Sequence, residues 1–189
     1  AYKRGTSVYL VDRVVPMLPE VLSNGICSLN AHEDRYAMTC MMEIDDSGTV
    51  VNYRIRPSII HVGRRCSYKE VYKALEENII PDDLQDFMPM LRDLAEISKV
   101  LNRMRRRRGA LDFDFPEYKV LLDQDGTPLR IVKRDRTMAE RLIEECMLIA
   151  NETVATHLKN THRTSVYRIH ESPSEEKLDL FQKVLNYLG

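Results

Sequence analysis

The residues of this sequence whose types and spacing could do chemistry are one carboxylate on a long helix, a run of arginines and a few isolated aromatic side chains. Glu144 lies in the segment from Arg136 to Leu158, the longest strongly helical stretch of the chain. Apolar residues project on both sides of it, so we expect its carboxylate to be partly buried. Because burying an unpaired charge costs several kcal/mol, Glu144 needs a partner. Two alternatives stay open, a surface ion pair with Arg141 or a carboxylate that lines a cleft.

Arginines are concentrated at the end of a second helical region, which covers residues 82–108. Acidic residues at the start of this region and Gly109 after its end match the helix dipole and a glycine cap. One or two cations would satisfy such a helix end, whereas a dense run also favours a surface that binds phosphates. The residues that could form this surface are Arg105, Arg106, Arg107 and Arg108. Spacing alone leaves both interpretations open.

Three aromatic residues are candidates for stacking on a ligand. Tyr9 lies within residues 4–30, an apolar stretch with prolines that we expect to form an ordered loop. Tyr68 lies in the first turn of a short predicted helix, and Phe113 follows the arginine run among acidic residues. For Tyr9 and Tyr68, packing inside the protein is the alternative to display on the surface.

Composition is that of an ordinary globular protein. Hydrophobic residues make up 43% and charged residues 30% of the 189 residues, enough for a substantial core in one domain. The formal net charge is -1, so a nucleic-acid site must be a local basic patch.

Cysteines, histidines and hydropathy exclude other classes of site. The four cysteines form no CxxC pair, and the five histidines lack the spacing of zinc ligands, so we expect reduced thiols and no zinc. No run approaches the roughly 18 apolar residues of a membrane span, and the sequence does not open on a signal peptide. We therefore expect a cytoplasmic protein with no membrane partner.

The elements that position these residues predict an α+β fold, in which antiparallel β-hairpins pack with several helices. One hairpin is expected over residues 36–55 and another over residues 118–132, each closed by an Asp- and Gly-containing turn. Thr137 and Glu140 form a capping-box pair that begins the helix of Glu144. A short strand over residues 164–170 and a terminal helix from residue 174 complete the chain, which contains no low-complexity linker.

Four segments, in this order, strongly resemble the ribonuclease II and ribonuclease R family, whose catalytic unit is the RNB domain: RGTSVYLVDRVVPMLPEVLSNGICSLN, RRCSY, RRRRGALDFDFPE and AERLIEECMLIANETVA. The resemblance covers residues 1–189 almost end to end. It implies the central part of an RNB catalytic domain. It also implies a processive hydrolytic exoribonuclease that degrades single-stranded RNA from the 3′ end to nucleoside 5′-monophosphates, with magnesium bound by aspartates.

The resemblance also implies roles for individual residues. Tyr9 falls on a tyrosine that stacks on RNA near the cleavage end, and Tyr68 and Phe113 fall on an aromatic pair that clamps the 3′-terminal base. Glu144 falls on a glutamate that contacts the terminal nucleotide. Stacking suits an enzyme that degrades any RNA, because every base offers a π-face worth about 1–3 kcal/mol. Glu145 projects about 100° further round the helix, so Glu145→Ala is the control for Glu144→Ala, and we expect the two substitutions to affect RNA degradation unequally.

The departures from the family pattern limit what we expect of this chain. The family's metal-binding aspartates precede the RGTSVYL segment and a catalytic arginine follows the last matching segment, and neither motif is in this sequence. We therefore expect magnesium to belong to a full-length parent, no metal ligand in residues 1–189, and no activity of this chain alone. Weak binding of single-stranded RNA and self-association through exposed core surfaces are also expected. A non-catalytic RNA-binding module and an inactive structural fragment stay open as alternatives.

Overall fold

The computed structural model describes residues 2–111, 115–169 and 171–188, and within them strands and helices follow one another as an α+β fold. Strands form separate antiparallel pairs: β1 (Val8–Tyr9) with β2 (Val14–Val15), β3 (Asp34–Ile44) with β4 (Val50–His61), and β5 (Glu117–Leu122) with β6 (Pro128–Arg134). The α-helices are α1 (Tyr68–Glu76), α2 (Met88–Arg107), α3 (Met138–Asn160) and α4 (Glu175–Leu188). A wide helical turn spans Val21–Ile26, and a 3-10 helix over Asp82–Phe87 leads directly into α2. The predicted fold class is confirmed.

Both predicted hairpins form, and their turns share one hydrogen-bond pattern. In the β3–β4 turn a carboxylate oxygen of Asp45 accepts from the backbone N–H groups of Ser47 and Thr49, each at 2.9 Å. Asp123 makes the equivalent pair of bonds in the β5–β6 turn. An aspartate that satisfies two turn amides explains why these short motifs close hairpins.

The tip of the β3–β4 hairpin packs directly on α2. Gly48 is buried there with φ +90, and a Cβ atom at this position would lie 2.9 Å from Cβ of Met104. Only glycine combines that backbone conformation with such a close approach. The hairpin is therefore fixed against the half of α2 that carries the arginines.

The buried core joins α1, the 3-10 helix, α2 and the start of α3. Its cluster of buried side chains is Val71, Ala74, Leu84, Met88, Leu91 and Ala139. Further along α2 and α3, Leu101, Leu142 and Ile149 are buried as well. Residues further along α2 contact residues further along α3, so the two helices run in the same direction. The β5–β6 hairpin lies between them in the sequence and connects them.

The chain divides into two compact units, residues 1–154 and residues 155–189. In the second unit α4 has no buried residue, and its apolar side chains Leu178, Phe181 and Leu185 are about half exposed. The strand expected over residues 164–170 is wrong for residues 164–169, which form none, because a strand needs a hydrogen-bonded neighbour and no described segment supplies one. None of the helices in the described residues has the length and apolarity needed to cross a bilayer.

The N-terminal turn of α1 is held by an arginine from the preceding loop. Ser67 and Glu70 form a capping box, and Arg64 donates one hydrogen bond of 3.1 Å to Glu70 and two, of 2.8 and 3.1 Å, to Asp83 in the 3-10 helix. The pKa of the Glu70 carboxyl falls from 4.5 to about 2, first because it accepts from Ser67 and then because of Arg64. Arg64 therefore fixes the turn that carries Tyr68.

Acid should weaken this contact within a pH window that the Glu70 pKa defines. Because folding lowers this pKa, the stabilisation is complete above about pH 4.5 and is lost as the pH falls toward about 2. We expect the urea midpoint of the wild-type chain to fall across this window more than that of Glu70→Gln, which has no carboxyl to titrate. Glu76→Gln, at the exposed far end of α1, is the matched control. Parallel curves for wild type and Glu70→Gln would contradict the prediction.

Candidate functional site

The site is built around a buried carboxylate between α2 and α3. Glu145 is 3% exposed, and its Oε1 accepts from Nδ2 of Asn102 at 2.8 Å and from Nη1 of Arg105 at 3.2 Å. Asn102 and Arg105 are three residues apart on α2, so they point from the same face of that helix. Burial and then the charge of Glu145 raise the pKa of the neighbouring Cys146 thiol.

A second ion pair repeats this connection two turns further along. Arg108 donates two hydrogen bonds to Glu152, of 2.9 and 2.8 Å. The pair raises the pKa of Arg108 and lowers that of Glu152. The step from Asn102 to Arg108 rises about 9 Å and the step from Glu145 to Glu152 about 10.5 Å, so helices that run in the same direction can make both connections.

Glu144, the carboxylate predicted from the sequence, points the other way, into an open groove. Its side chain is 39% exposed and is paired with Arg136, which precedes α3, while Nη1 of Arg105 lies 3.8 Å from its Oε1. Among the described residues its partners are therefore Arg136 and Arg105, and the ion pair with Arg141 does not form. The alternative of a carboxylate that lines a cleft is the one that the structure favours.

The Glu144 groove has a volume of about 710 Å³ and a lining of two kinds of side chain. We call its apolar residues, Leu111, Phe115 and Pro116, the apolar wall. We call the rest the charged wall, in which four cations match four acids: Arg105, Lys133, Arg134 and Arg136, and Glu117, Asp135, Glu140 and Glu144. A lining that combines apolar groups with balanced charges suits a ligand with a flat apolar ring and hydroxyl donors better than it suits a bare polyanion.

The groove does not fit a magnesium ion. Within residues 2–111, 115–169 and 171–188, no three His, Cys, Asp or Glu side chains come together as metal ligands. The Glu144 carboxylate is already paired with Arg136 and lies near Arg105, whereas a magnesium ion needs carboxylate oxygens that can coordinate it. The chemistry available to Glu144 is the acceptance of hydrogen bonds.

The aromatic candidates have different positions. Tyr9 is 78% exposed in β1, and Tyr68 is 44% exposed at the start of α1; neither lines the Glu144 groove as the described residues define it. Phe113 lies outside the described residues, but Leu111 and Phe115 on either side of its segment line the groove. The structure therefore brings Leu111 and Phe115 to the groove of Glu144, while Tyr9 and Tyr68 are exposed outside its described lining.

The arginine run is divided by its contacts. The side chains of Arg105 and Arg108, which are 18% and 51% exposed, pair with acids of α3. The side chains of Arg106 and Arg107 are also exposed. The predicted phosphate-binding surface over Arg105–Arg108 is therefore reduced to Arg106 and Arg107, because Arg105 and Arg108 hold α2 and α3 together.

Sequence reasoning missed the role of Glu145. The helical projection identifies Glu145 only as a control position for Glu144, whereas its carboxylate is buried and accepts hydrogen bonds from Asn102 and Arg105. A signal was present: Glu145 lies three residues after Leu142 and four before Ile149, which is the spacing of the buried stripe.

Comparison with known proteins gives consistent matches over the whole chain. The family model described as the RNB domain matches residues 1–188. Ribonuclease R 2 of Lactococcus lactis subsp. lactis (strain IL1403) is 45% identical over 181 residues, which cover 93% of this chain and 27% of that protein. Ribonuclease R of Thermotoga maritima is 44% identical over 190 residues, covering 100% of this chain and 27% of that protein.

A solved structure agrees with these matches. Ribonuclease R of Mycoplasma genitalium, in complex with ribose-methylated single-stranded RNA, superposes with a TM-score of 0.91 at 33% identity. The match covers 97% of this chain and 29% of that one. This chain spans about a quarter of the length of the curated relatives that it matches.

The two adjacent glutamates should differ sharply when each is replaced. Glu145→Ala leaves the partly buried side chains of Asn102 and Arg105 without their shared acceptor, and breaking a buried charge pair costs about 3–5 kcal/mol. Glu144→Ala removes a half-exposed pair, which is worth about 0–1 kcal/mol. Urea unfolding followed by circular dichroism measures both, with Glu145→Gln as an intermediate that keeps a hydrogen-bond acceptor. Equal losses for the two alanine variants would contradict this assignment of the buried carboxylate.

Proposed function

We propose that this chain, which belongs to the RNB-domain family, is the central part of the catalytic domain of a processive, hydrolytic 3′–5′ exoribonuclease. The enzyme would degrade single-stranded RNA to nucleoside 5′-monophosphates, and residues 1–189 would form the part of that domain that grips the 3′ end. The observation that carries the proposal is Glu144, a half-exposed carboxylate between two arginines in a groove with an apolar wall.

The groove suits the end of an RNA chain. An ionised carboxylate is an acceptor only, so Glu144 would accept hydrogen bonds from the sugar hydroxyls of the 3′-terminal nucleotide. The apolar wall offers a base a surface on which to stack. A relative, ribonuclease R of Mycoplasma genitalium, has been solved with single-stranded RNA, which supports the same class of ligand here.

The aromatic residues would grip bases from other directions. Tyr68 and Phe113 would clamp the 3′-terminal base, and Tyr9 would stack on RNA near the cleavage end, as the family resemblance implies. The exposure of the Tyr9 and Tyr68 side chains supports this, since an exposed ring is accessible to a base. Arg64 and the capping box of Ser67 would keep Tyr68 at a fixed position.

Catalysis would require carboxylates beyond those described here. The magnesium that the family resemblance implies needs a cluster of oxygen ligands, and the described residues supply none. We therefore propose that metal-binding aspartates belong to other parts of a full-length parent and that this chain alone is inactive.

Compartment and self-association are also proposals. All four cysteines are free, which supports a reducing compartment such as the cytoplasm.

On the β3–β4 hairpin the cross-strand pair Tyr36 and Ile59 is 89% and 64% exposed, and Met38 beside it is 68% exposed. An exposed apolar patch of this kind supports self-association of the isolated chain.

Activity should depend on what flanks the chain. We expect residues 1–189, incubated with 5′-labelled single-stranded RNA and magnesium, to release no mononucleotides. A longer protein that carries the acidic motif before this chain and the arginine motif after it should shorten the same RNA from the 3′ end. Mononucleotides released by the 189-residue chain, or none released by the longer protein, would contradict the proposal.

The contribution of Glu144 can be measured in that longer protein. We expect Glu144→Ala to slow degradation at least tenfold, which is about 1.4 kcal/mol of transition-state stabilisation. The melting temperature should stay near that of the wild type, because the pair that is lost is half exposed. A rate within twofold of the wild type would remove Glu144 from the site.

Binding without catalysis should come partly from the exposed arginines. Each phosphate contact contributes about 0.7 to the slope of log affinity against log salt for single strands. Arg106→Ala with Arg107→Ala should therefore weaken RNA binding and lower that slope by about 1.4. Arg92→Ala with Lys99→Ala removes the same charge from exposed positions of α2 and is the matched control. Equal slopes for the two double variants would favour the helix-dipole interpretation of the arginine run.

A further inference from the structure

One guanidinium group lies between the two carboxylates at the start of α3. Nη1 of Arg105 is 3.2 Å from Oε1 of Glu145 and 3.8 Å from Oε1 of Glu144. Glu145 is buried, whereas Glu144 faces the groove. Arg105 therefore connects the interior of the α2–α3 interface to the wall of the groove.

Arg105 cannot turn toward a phosphate chain without breaking the buried pair. Its side chain is 18% exposed, and the same Oε1 of Glu145 also accepts from Asn102. A guanidinium held by a buried carboxylate has fixed donors, and fixed donors define the position of whatever carboxylate they face on the other side. The carboxylate on that side is Glu144.

We propose that Glu145 and Arg105 are positioning residues, through which the buried Glu145 fixes the guanidinium of Arg105 and Arg105 holds the Glu144 carboxylate toward the sugar of the 3′-terminal nucleotide. The inference rests on the proposed function, because it assumes that Glu144 accepts from sugar hydroxyls. In this arrangement Arg105 contributes to recognition of the terminal sugar and makes no contact with the RNA backbone. Arg136 pairs with the same carboxylate, so the charge of Glu144 lies close to two guanidinium groups.

Discrimination between terminal sugars follows from this geometry. A carboxylate with a fixed orientation binds a hydroxyl at one position more tightly than elsewhere, whereas a mobile carboxylate can bind solvent instead. Loss of Glu145 or Arg105 should therefore remove the preference for a terminal ribose and leave phosphate attraction intact. A purely structural role would weaken the binding of every RNA equally.

The test uses the 189-residue chain and two fluorescein-labelled single-stranded RNAs of identical sequence, one ending in ribose and the other in 2′,3′-dideoxyribose. We expect the wild type to bind the ribose end about tenfold more tightly, equivalent to about 1.4 kcal/mol. Glu145→Gln and Arg105→Lys should each reduce this ratio to below about threefold. The dissociation constant for the dideoxy end should stay within twofold of the wild-type value. Glu152→Gln, which disturbs the neighbouring ion pair of the same interface, is the matched control and should keep the ratio.

The outcomes separate this inference from the function on which it rests. If wild type and Glu144→Gln bind both RNAs equally, the role of Glu144 fails and the inference fails with it. If Glu144→Gln loses the preference but folded Glu145→Gln and Arg105→Lys keep it, the role of Glu144 stands and the inference is overturned. Equal weakening of both RNAs would also overturn it. Should circular dichroism show Glu145→Gln unfolded, Arg105→Lys alone decides, because Arg105 reaches the surface.

Discussion

The structure of the site depends on one buried charge, that of Glu145, which must be paired wherever α2 and α3 meet. A lone carboxylate in that interface would be strongly unfavourable, so the register of the helices is restricted to the one that supplies Asn102 and Arg105. Arg108 and Glu152 satisfy the same register two turns on. A buried charge therefore specifies alignment here, while apolar contacts such as those of Leu101 and Leu142 supply the burial.

The location of the groove follows from how α3 begins. The Glu140 carboxylate accepts from the backbone N–H of Thr137 and from its hydroxyl, and the hydroxyl of Thr137 accepts from the N–H of Ala139, so the predicted cap is confirmed. This cap leaves Arg136 just outside the helix, from where it reaches Glu144 two turns further on. The strand β6 ends immediately before this corner, and its Arg134 pairs with Glu117 across the hairpin. Strand end, cap and helix together form the charged wall.

Local features were predictable from the sequence, and tertiary pairings were not. The hairpins and the cap of α3 depend on residues within a few positions of one another, and the four family segments also identified the family correctly. Glu145 lies on the buried stripe, but its hydrogen-bond partners on α2 are 40 and 43 residues away in the sequence. No local pattern could therefore identify them. The density of the arginine run was visible in the sequence, whereas the pairing of Arg105 and Arg108 with acids of α3 was not. The expected strand over residues 164–169 shows the same limit, since strands depend on partners.

Affinity and selectivity have separate physical origins in this arrangement. The charged wall of the Glu144 groove is balanced, so long-range attraction of a polyanion must come from exposed cations outside it, such as Arg107. If the groove takes a nucleotide as proposed, short-range hydrogen bonds and the apolar wall act only after that nucleotide has entered. Under the proposed function, added salt would weaken capture of RNA much more than it weakens the choice of terminal sugar, because screening acts on exposed charges and hardly on a buried pair.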